Sequence, residues 1–220
     1  MKPKLFIHMG FPRTGTSFLQ EQIFRKIPNV NFQRRNIIEQ EIKPDRINIF
    51  GDESLTGAKE QQRITIANRI HKVFPDAYII IGIRNQPGWY RSLYNLRISK
   101  GYIGTLDDVI KEDLFKHSIE YIEHIRSLFK HVFVYKQEDM VTDFQSWLNH
   151  LSIFMQLDLG FVHNIRINPS WSNYSIQLAE RVNPLFRSSS NPSGLLPNIT
   201  RTILFRGINS FIKYKRRILK

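Results

Sequence analysis

Cysteine is absent from the 220 residues. That excludes a disulfide framework, a thiol nucleophile and a zinc–thiolate site. The chain also lacks any apolar run of about 18 residues that could span a bilayer. Its first apolar stretch is broken by His8 and Gly10 and shows no small-residue cleavage site, so it does not read as a signal peptide. Acid is scarce: 19 Asp and Glu stand against 32 Lys and Arg, a formal charge of +13, and none follows Glu180. A field of that sign attracts nucleotides, acidic glycans, anionic lipids or nucleic acid without choosing among them. The length suits one domain with its own core. The expected location is the cytoplasm.

What the chain does contain is concentrated near its start. Leu5-Phe6-Ile7-His8-Met9-Gly10 is a short apolar run, Phe11-Pro12-Arg13-Thr14-Gly15 is glycine-bounded, and Leu19 and Ile23 then stand four apart with Phe24 beside them. This is strand, tight loop, helix. Such a loop turns its N–H groups inward, and the helix that follows points its positive end at the same spot. The result is an anion cradle. Gly10 to Ser17 matches G-x-x-x-x-G-K-[ST] except that Thr16 stands where the lysine belongs. In nucleoside triphosphatases that lysine reaches the β- and γ-phosphates. Its loss argues against triphosphate hydrolysis and leaves Arg13 as the loop's cation.

Pro12-Arg13-Thr14-Gly15-Thr16-Ser17-Phe18-Leu19 resembles the 5′-phosphosulfate loop of sulfotransferases that use 3′-phosphoadenosine 5′-phosphosulfate. A second segment, Ile83-Arg84-Asn85-Gln86-Pro87-Gly88-Trp89-Tyr90-Arg91-Ser92-Leu93-Tyr94, resembles that family's 3′-phosphate site, where an Arg ends a strand and a Ser follows eight residues on. The resemblance covers roughly residues 4–185. It implies a P-loop-like α/β domain with a parallel sheet of about four to five strands flanked by helices, and direct sulfuryl transfer to a hydroxyl with no metal required. Arg13, Thr14, Gly15, Thr16 and Ser17 would hold the 5′-phosphosulfate, and Arg84 with Ser92 the 3′-phosphate. The implied acceptor is first a glycan hydroxyl, with small alcohols, lipids and tyrosine as alternatives, and no nucleic acid partner is expected.

Ile47 to Phe50 reads as a second strand ending at Gly51-Asp52-Glu53-Ser54. Ligands of open α/β sheets sit outside the carboxyl ends of strands, so a carboxylate there can take the acceptor's proton. The resemblance favours Glu53 for that role and leaves Asp52 to a turn or cap. His71, on a helix over 58–74, is the alternative base and reads as a packing or surface residue. Residues 30–46 are polar and poorly periodic and read as a loop. Ala77 to Ile83 is a β-branched run suited to a strand covered on both faces, and Pro87 suits the start of a helix. Thr105-Leu106-Asp107-Asp108 carries a capping-box pattern. A helix follows over 115–129, then a strand over 132–135, a structural corner at Lys136-Gln137-Glu138-Asp139-Met140 and a helix over 143–155. Ile167 to Ser172 resembles a hydroxyl-rich segment of bacterial members and reads equally as a turn with a cap.

The sulfotransferase domain is expected over 1–187, followed by a Ser/Pro-rich loop at 188–194 that reads as mobile and a basic end to residue 220. That end interleaves arginines and lysines with Ile203, Leu204, Phe205, Phe211, Ile212 and Leu219, a pattern suited to an anionic membrane surface or an acidic acceptor. Arg206-Gly207 is the one late pair that fits a further nucleotide contact. Two rivals make different demands. A small-molecule kinase on a degenerate P-loop requires magnesium and the missing lysine. A non-catalytic basic module, binding nucleic acid or membrane, leaves both ordered motifs unexplained.

Overall fold

A computed structural model describes residues 4–34, 39–56, 60–164 and 171–205. They fall into two compact units, Met1–Gln86 with Asp113–Ile167 and Pro87–Glu112 with Asn168–Lys220.

The first unit is built on a five-stranded parallel sheet in the order β2-β3-β1-β4-β5. The strands are β1 (Leu5–Gly10), β2 (Val30–Gln33), β3 (Ile47–Gly51), β4 (Tyr78–Ile83) and β5 (His131–Lys136). β1 lies at the centre, with Ile7 paired to Phe50 on one side and to Ile79 on the other. The chain winds from β1 towards β2 and β3, then crosses back to β4 and β5. The carboxyl end of β1 is therefore the point where strand order reverses, the usual ligand crevice of an open parallel sheet.

Parallel strands joined by helical crossovers are covered on both faces, which is why β4 and, His8 apart, β1 are apolar. Ile79, Ile80 and Ile81 are wholly buried, each contributing about 2 kcal/mol of apolar burial. Phe6, Ile49 and Ile80 share one core with Phe24, Trp147 and Leu151. Helices α2 (Glu60–Val73) and α5 (Leu114–Leu128) belong to the same unit, as do α6 (Gln137–Thr142) and α7 (Phe144–Met155).

The helix after the loop opens as α1 (Thr16–Phe18), widens to a π turn over Leu19–Ile23 and tightens to a 3-10 turn over Phe24–Lys26. The Phe24 amide donates to the carbonyls of Gln20 and Leu19. Leu19 and Phe24 are five apart, the π spacing, and the wider turn buries both of them together with Ile23.

The edge strand β2 corrects the loop expected over 30–46. Its reason is a pair of asparagines. Asn48 is fully buried; its Oδ1 accepts from Asn31 Nδ2 and from the Lys43 amide, both at 2.9 Å. Its Nδ2 donates to the carbonyls of Lys43 and Arg46 at 2.9 and 3.0 Å. These bonds supply the pairing that hydrophobic periodicity does not reveal.

The second unit is helical. It holds α3 (Gln86–Ser99) from Pro87 onward, α4 (Leu106–Lys111) and α8 (Asn173–Val182), with a last described helical stretch at 198–205. Thr105 and Asp108 form the expected capping box, and Ser172 caps α8. Ile98, Ile176, Ala179 and Phe205 make a small core, with the Trp171 ring stacked 5.0 Å from Phe205.

Inside this unit the Arg201 side chain is buried and bonded through two of its nitrogens. Nε donates to Asn183 Oδ1 at 2.8 Å, and one terminal nitrogen donates to the carbonyls of Ile98 and Ser99 at 2.8 and 2.7 Å. The stretch 188–194, expected to be mobile, is a hydrogen-bonded double turn. The Ser188 amide donates to the Asn191 carbonyl at 2.9 Å, and Asn191 Nδ2 donates to the carbonyls of Pro184 and Phe186.

Candidate active site

The anion loop leaves the centre of the sheet at Gly10 and enters α1 at Thr16. Its backbone takes the left-handed region twice, at Arg13 (φ 70) and Gly15 (φ 92). For an arginine this costs on the order of 1 kcal/mol, and such strain collects at ligand clamps. At Gly15 a Cβ would stand 2.7 Å from Met140 Cε, so a side chain there would have to displace the end of that methionine as well as accept the left-handed backbone. Thr14 is buried, its hydroxyl donating to the Phe11 carbonyl at 2.7 Å, so it closes the loop from inside and offers a ligand only its backbone. The first amides of the helix lack intrahelical partners, as helix starts require.

Thr16, in the place of the Walker lysine, is buried, and its hydroxyl has no hydrogen-bond partner. It packs on Gly10, where an added Cβ would fall 2.1 Å from the Thr16 oxygen. Ser17 is half-buried.

Arg84 follows β4 directly. Its Nε stands 3.5 Å from Glu138 Oε1, and its Nη1 lies 3.4 Å from the Arg13 carbonyl. Burial pulls its pKa below the ordinary arginine value; Glu138 opposes this, and the charge of Arg13 adds to the lowering. A guanidinium stays charged regardless. The shift therefore describes a cation partly stripped of water beside a second cation, with one carboxylate as counter-ion. An arriving anion stabilises such a pair.

Glu138 is the residue that sequence reading assigned only to a structural corner. It sits in the first turn of α6, just past β5, pairs with Arg84 and accepts from the Asn85 amide at 3.1 Å. Its position two residues after a strand end was the available signal. Glu53 opens the 3-10 turn Glu53–Thr56 immediately beyond β3. The Asp52 amide donates to the His8 carbonyl at 3.3 Å, extending the β1–β3 pairing to the base of that turn. Glu53 thus leaves the same sheet edge as the anion loop.

Two further polar groups lie beneath this edge. His8 is fully buried on β1; Nε2 is 3.4 Å from the Tyr135 hydroxyl, and Nδ1 has no partner. Burial depresses its pKa to about 3, so it is neutral near pH 7. Gln20 Nε2 is likewise buried without a partner, and it lies 3.6 Å from where a Gly51 Cβ would stand.

Ser92 lies in the second turn of α3, half-buried, within the helical unit. His71 stands in the last turn of α2 with its ring edge-on to Phe129 at 5.2 Å. Arg97 makes a two-pronged pair with Glu112 inside the helical unit. Arg206-Gly207, residues 165–170 of the hydroxyl-rich segment and the basic end beyond Phe205 lie outside the described residues. Among the described residues no cluster of three or more His, Asp or Glu side chains could hold a metal ion.

The geometry defines a class first: a parallel α/β sheet whose central strand feeds a cationic anion loop. Comparison with solved structures makes that class specific. The chain matches a sulfotransferase from Alicyclobacillus acidocaldarius with a TM-score of 0.54 at 13% identity, over 84% of this chain and 93% of that one. It also matches the mouse sulfotransferase SULT7A1, complexed with PAP, with a TM-score of 0.51 at 15% identity, over 83% of this chain and 65% of that one. No family model matches the sequence, and no curated protein does. The chain has the fold of the sulfotransferases.

Proposed function

We propose that this protein is a sulfotransferase that moves a sulfuryl group from 3′-phosphoadenosine 5′-phosphosulfate to a hydroxyl. The observation that carries the reading is Arg84, half-buried beside Arg13 at the end of β4, next to a loop that twice turns left-handed. Two cations and a ring of amides suit a nucleotide bearing phosphate at both ends of its ribose. The missing lysine supports the same choice over a kinase, because Thr16 is buried against Gly10.

In the proposed mechanism Arg13 and the amides of Gly15, Thr16 and Ser17 hold the 5′-phosphosulfate. Arg84 binds the 3′-phosphate, and Thr14 keeps the loop closed. Glu53 takes the acceptor's hydroxyl proton as the new oxygen–sulfur bond forms and the bond from sulfur to the 5′-phosphate oxygen breaks. The products are a sulfate ester and adenosine 3′,5′-bisphosphate. Negative charge gathers on the leaving phosphate, where fixed donors and the Arg13 guanidinium contribute most. Arginine is a poor proton donor, so its part is electrostatic. Transfer is direct and in line, with no covalent enzyme intermediate and no metal in the scheme. A cytoplasmic setting and a glycan acceptor complete the proposal, the latter taken from the resemblance and compatible with the excess of positive charge.

The test is a metal-free thermal-shift titration with adenosine 3′,5′-bisphosphate, 5′-AMP, and ATP with magnesium. A ligand that binds only the folded state raises the midpoint with its affinity. The bisphosphate alone is expected to shift it, and Arg84→Ala to abolish the shift. A response to ATP with magnesium and none to the bisphosphate refutes the proposal. Glu53→Gln is expected to retain bisphosphate binding and lose about 100-fold or more in transfer rate; near-normal turnover would remove Glu53 from the scheme.

A further inference from the structure

Glycine floors the carboxyl edge of the sheet beneath the anion loop. Gly10 pairs with Gly82, and Gly82 with Tyr135, in the parallel ladders, so the three positions share one face of the sheet. Neither glycine has a positive φ, so it is the missing side chain that matters. At Gly82 a Cβ would overlap the tip of the Tyr135 ring and stand 2.9 Å from Thr14 Oγ1. The two hydroxyl oxygens thus lie within 2.9 Å of one point and face each other across the room that glycine leaves.

The supply of protons orders the bonds. Thr14 gives its hydroxyl proton to the Phe11 carbonyl at 2.7 Å, which leaves its oxygen as an acceptor. The Tyr135 ring is 2% exposed and lies edge-on to Trp147 at 5.9 Å. A buried tyrosine carries its ring into the core and aims its hydroxyl at a partner; here Thr14 Oγ1 stands across the gap. Behind the same hydroxyl, His8 Nε2 lies at 3.4 Å, a long contact, while Nδ1 has no partner. A neutral imidazole donates from one nitrogen and accepts at the other. Buried N–H groups are seldom left orphaned, so the proton is assigned to Nε2. The series then runs from His8 to Tyr135, from Tyr135 to Thr14 and from Thr14 to the Phe11 carbonyl, with every proton directed towards the loop. Thr14 directly follows Arg13, whose φ of 70 is left-handed. An arginine keeps such a backbone only where its surroundings over-determine it.

We propose that Tyr135 is a positioning residue of the anion loop: its hydroxyl, set in the gap over Gly82 and backed by His8, holds Thr14 and through it the strained backbone of Arg13. The inference rests on the reading of this loop as the anion site. A tyrosine kept for its ring alone would serve as well without its oxygen.

The experiment compares the full chain with Tyr135→Phe, which keeps the ring and its packing. Without ligand, the loop amides of residues 13–17 are expected to exchange with deuterium about three- to tenfold faster in the variant, the value of one hydrogen bond. Ile7 and Met9 should be unchanged. By calorimetric titration the variant should bind adenosine 3′,5′-bisphosphate about three- to tenfold more weakly. Gly82→Ala, which drives a methyl into the same gap, should move both readings in the same direction and tests the proposal separately. Thr14→Val removes the far hydroxyl, and the double variant with Tyr135→Phe should bind no more weakly than Thr14→Val alone, since the two act as a unit. Three results would overturn the proposal: loop exchange that neither Tyr135→Phe nor Gly82→Ala alters, faster exchange that extends equally through β1, or losses that multiply in the double variant. A wild type that ignores the bisphosphate would refute the sulfotransferase reading, while the exchange comparison, made without ligand, still decides the role of Tyr135.

Discussion

In the helical unit Arg201 is as buried as a core leucine and yet makes three hydrogen bonds. Asn183 donates to the carbonyls of Ile98 and Tyr102, Asn191 to those of Pro184 and Phe186, and Ser175 is tied to the Ser172 cap. In the sheet unit the opposite holds. Among the described residues, the buried side-chain nitrogens and oxygens without a hydrogen-bond partner all fall there, including His8 Nδ1, Thr16 Oγ1 and Gln20 Nε2. An unpaired buried polar atom costs about 1–3 kcal/mol, so native structures keep few of them. Where several gather below one anion loop, they mark the region that a ligand or water completes. The helical unit has finished its polar interior. The sheet unit has finished its apolar core and leaves its polar edge incomplete.

The sharpest way to break this contrast is to spoil the finished unit. Arg201→Ala leaves Asn183 Oδ1 and two carbonyls unpaired, and at about 1–3 kcal/mol for each buried group left unsatisfied it should cost about 3 kcal/mol or more of unfolding free energy. Denaturant unfolding measures it, and a loss under 1 kcal/mol would show that the network is ornamental.

His8 gives the next effect, and its sign follows from burial. Its folded pKa of about 3 lies below the ordinary 6.5, so the unfolded chain binds a proton that the folded chain refuses. The stability is whole above pH 6.5 and drains away as pH falls towards 3. Between pH 6.5 and 4.5 the wild type should lose about 2–3 kcal/mol through this residue, and His8→Leu should lack that component of the slope. Identical slopes in the two proteins would place the imidazole in water.

On the unfinished edge, changes should alter binding more than folding. Arg84→Ala is expected to weaken adenosine 3′,5′-bisphosphate by about 10- to 100-fold, the value of a charged hydrogen-bonding group, as read by calorimetric titration. Glu138→Gln should have the smallest effect. It removes the carboxylate that competes for Arg84, so bisphosphate should bind about two- to threefold tighter at low salt, with stability changed by less than about 1 kcal/mol. Weaker binding would instead assign Glu138 to holding Arg84 in place.

Much of the sheet unit is legible in the sequence because its signals are local. The apolar runs of β1 and β4, the glycine-bounded loop and Arg84 at a strand end each declare themselves within a dozen residues, as does the Thr105 capping box. What escaped depends on distant partners. β2 is held through Asn31 and Asn48, seventeen residues apart and paired in a register that no periodicity carries. Glu138 acquires its role only when β5 lies beside β4. The order within 188–194 rests on Asn191 reaching back to Pro184 and Phe186. Arg201 looked like one more surface cation until Asn183 and the end of α3 surrounded it.

One consequence remains in the placement of β1. It is the only strand here with β3 on one edge and β4 on the other, both in continuous register. Each of its amides is bonded into one ladder and shielded by the strands on both sides, so Ile7 and Met9 should be among the last to exchange with solvent deuterium. The loop that grips the anion is thus moored to the slowest-opening part of the molecule. Local fluctuation that loosens the surface helices leaves the cradle's shape intact, and an anion meets donors already held in place.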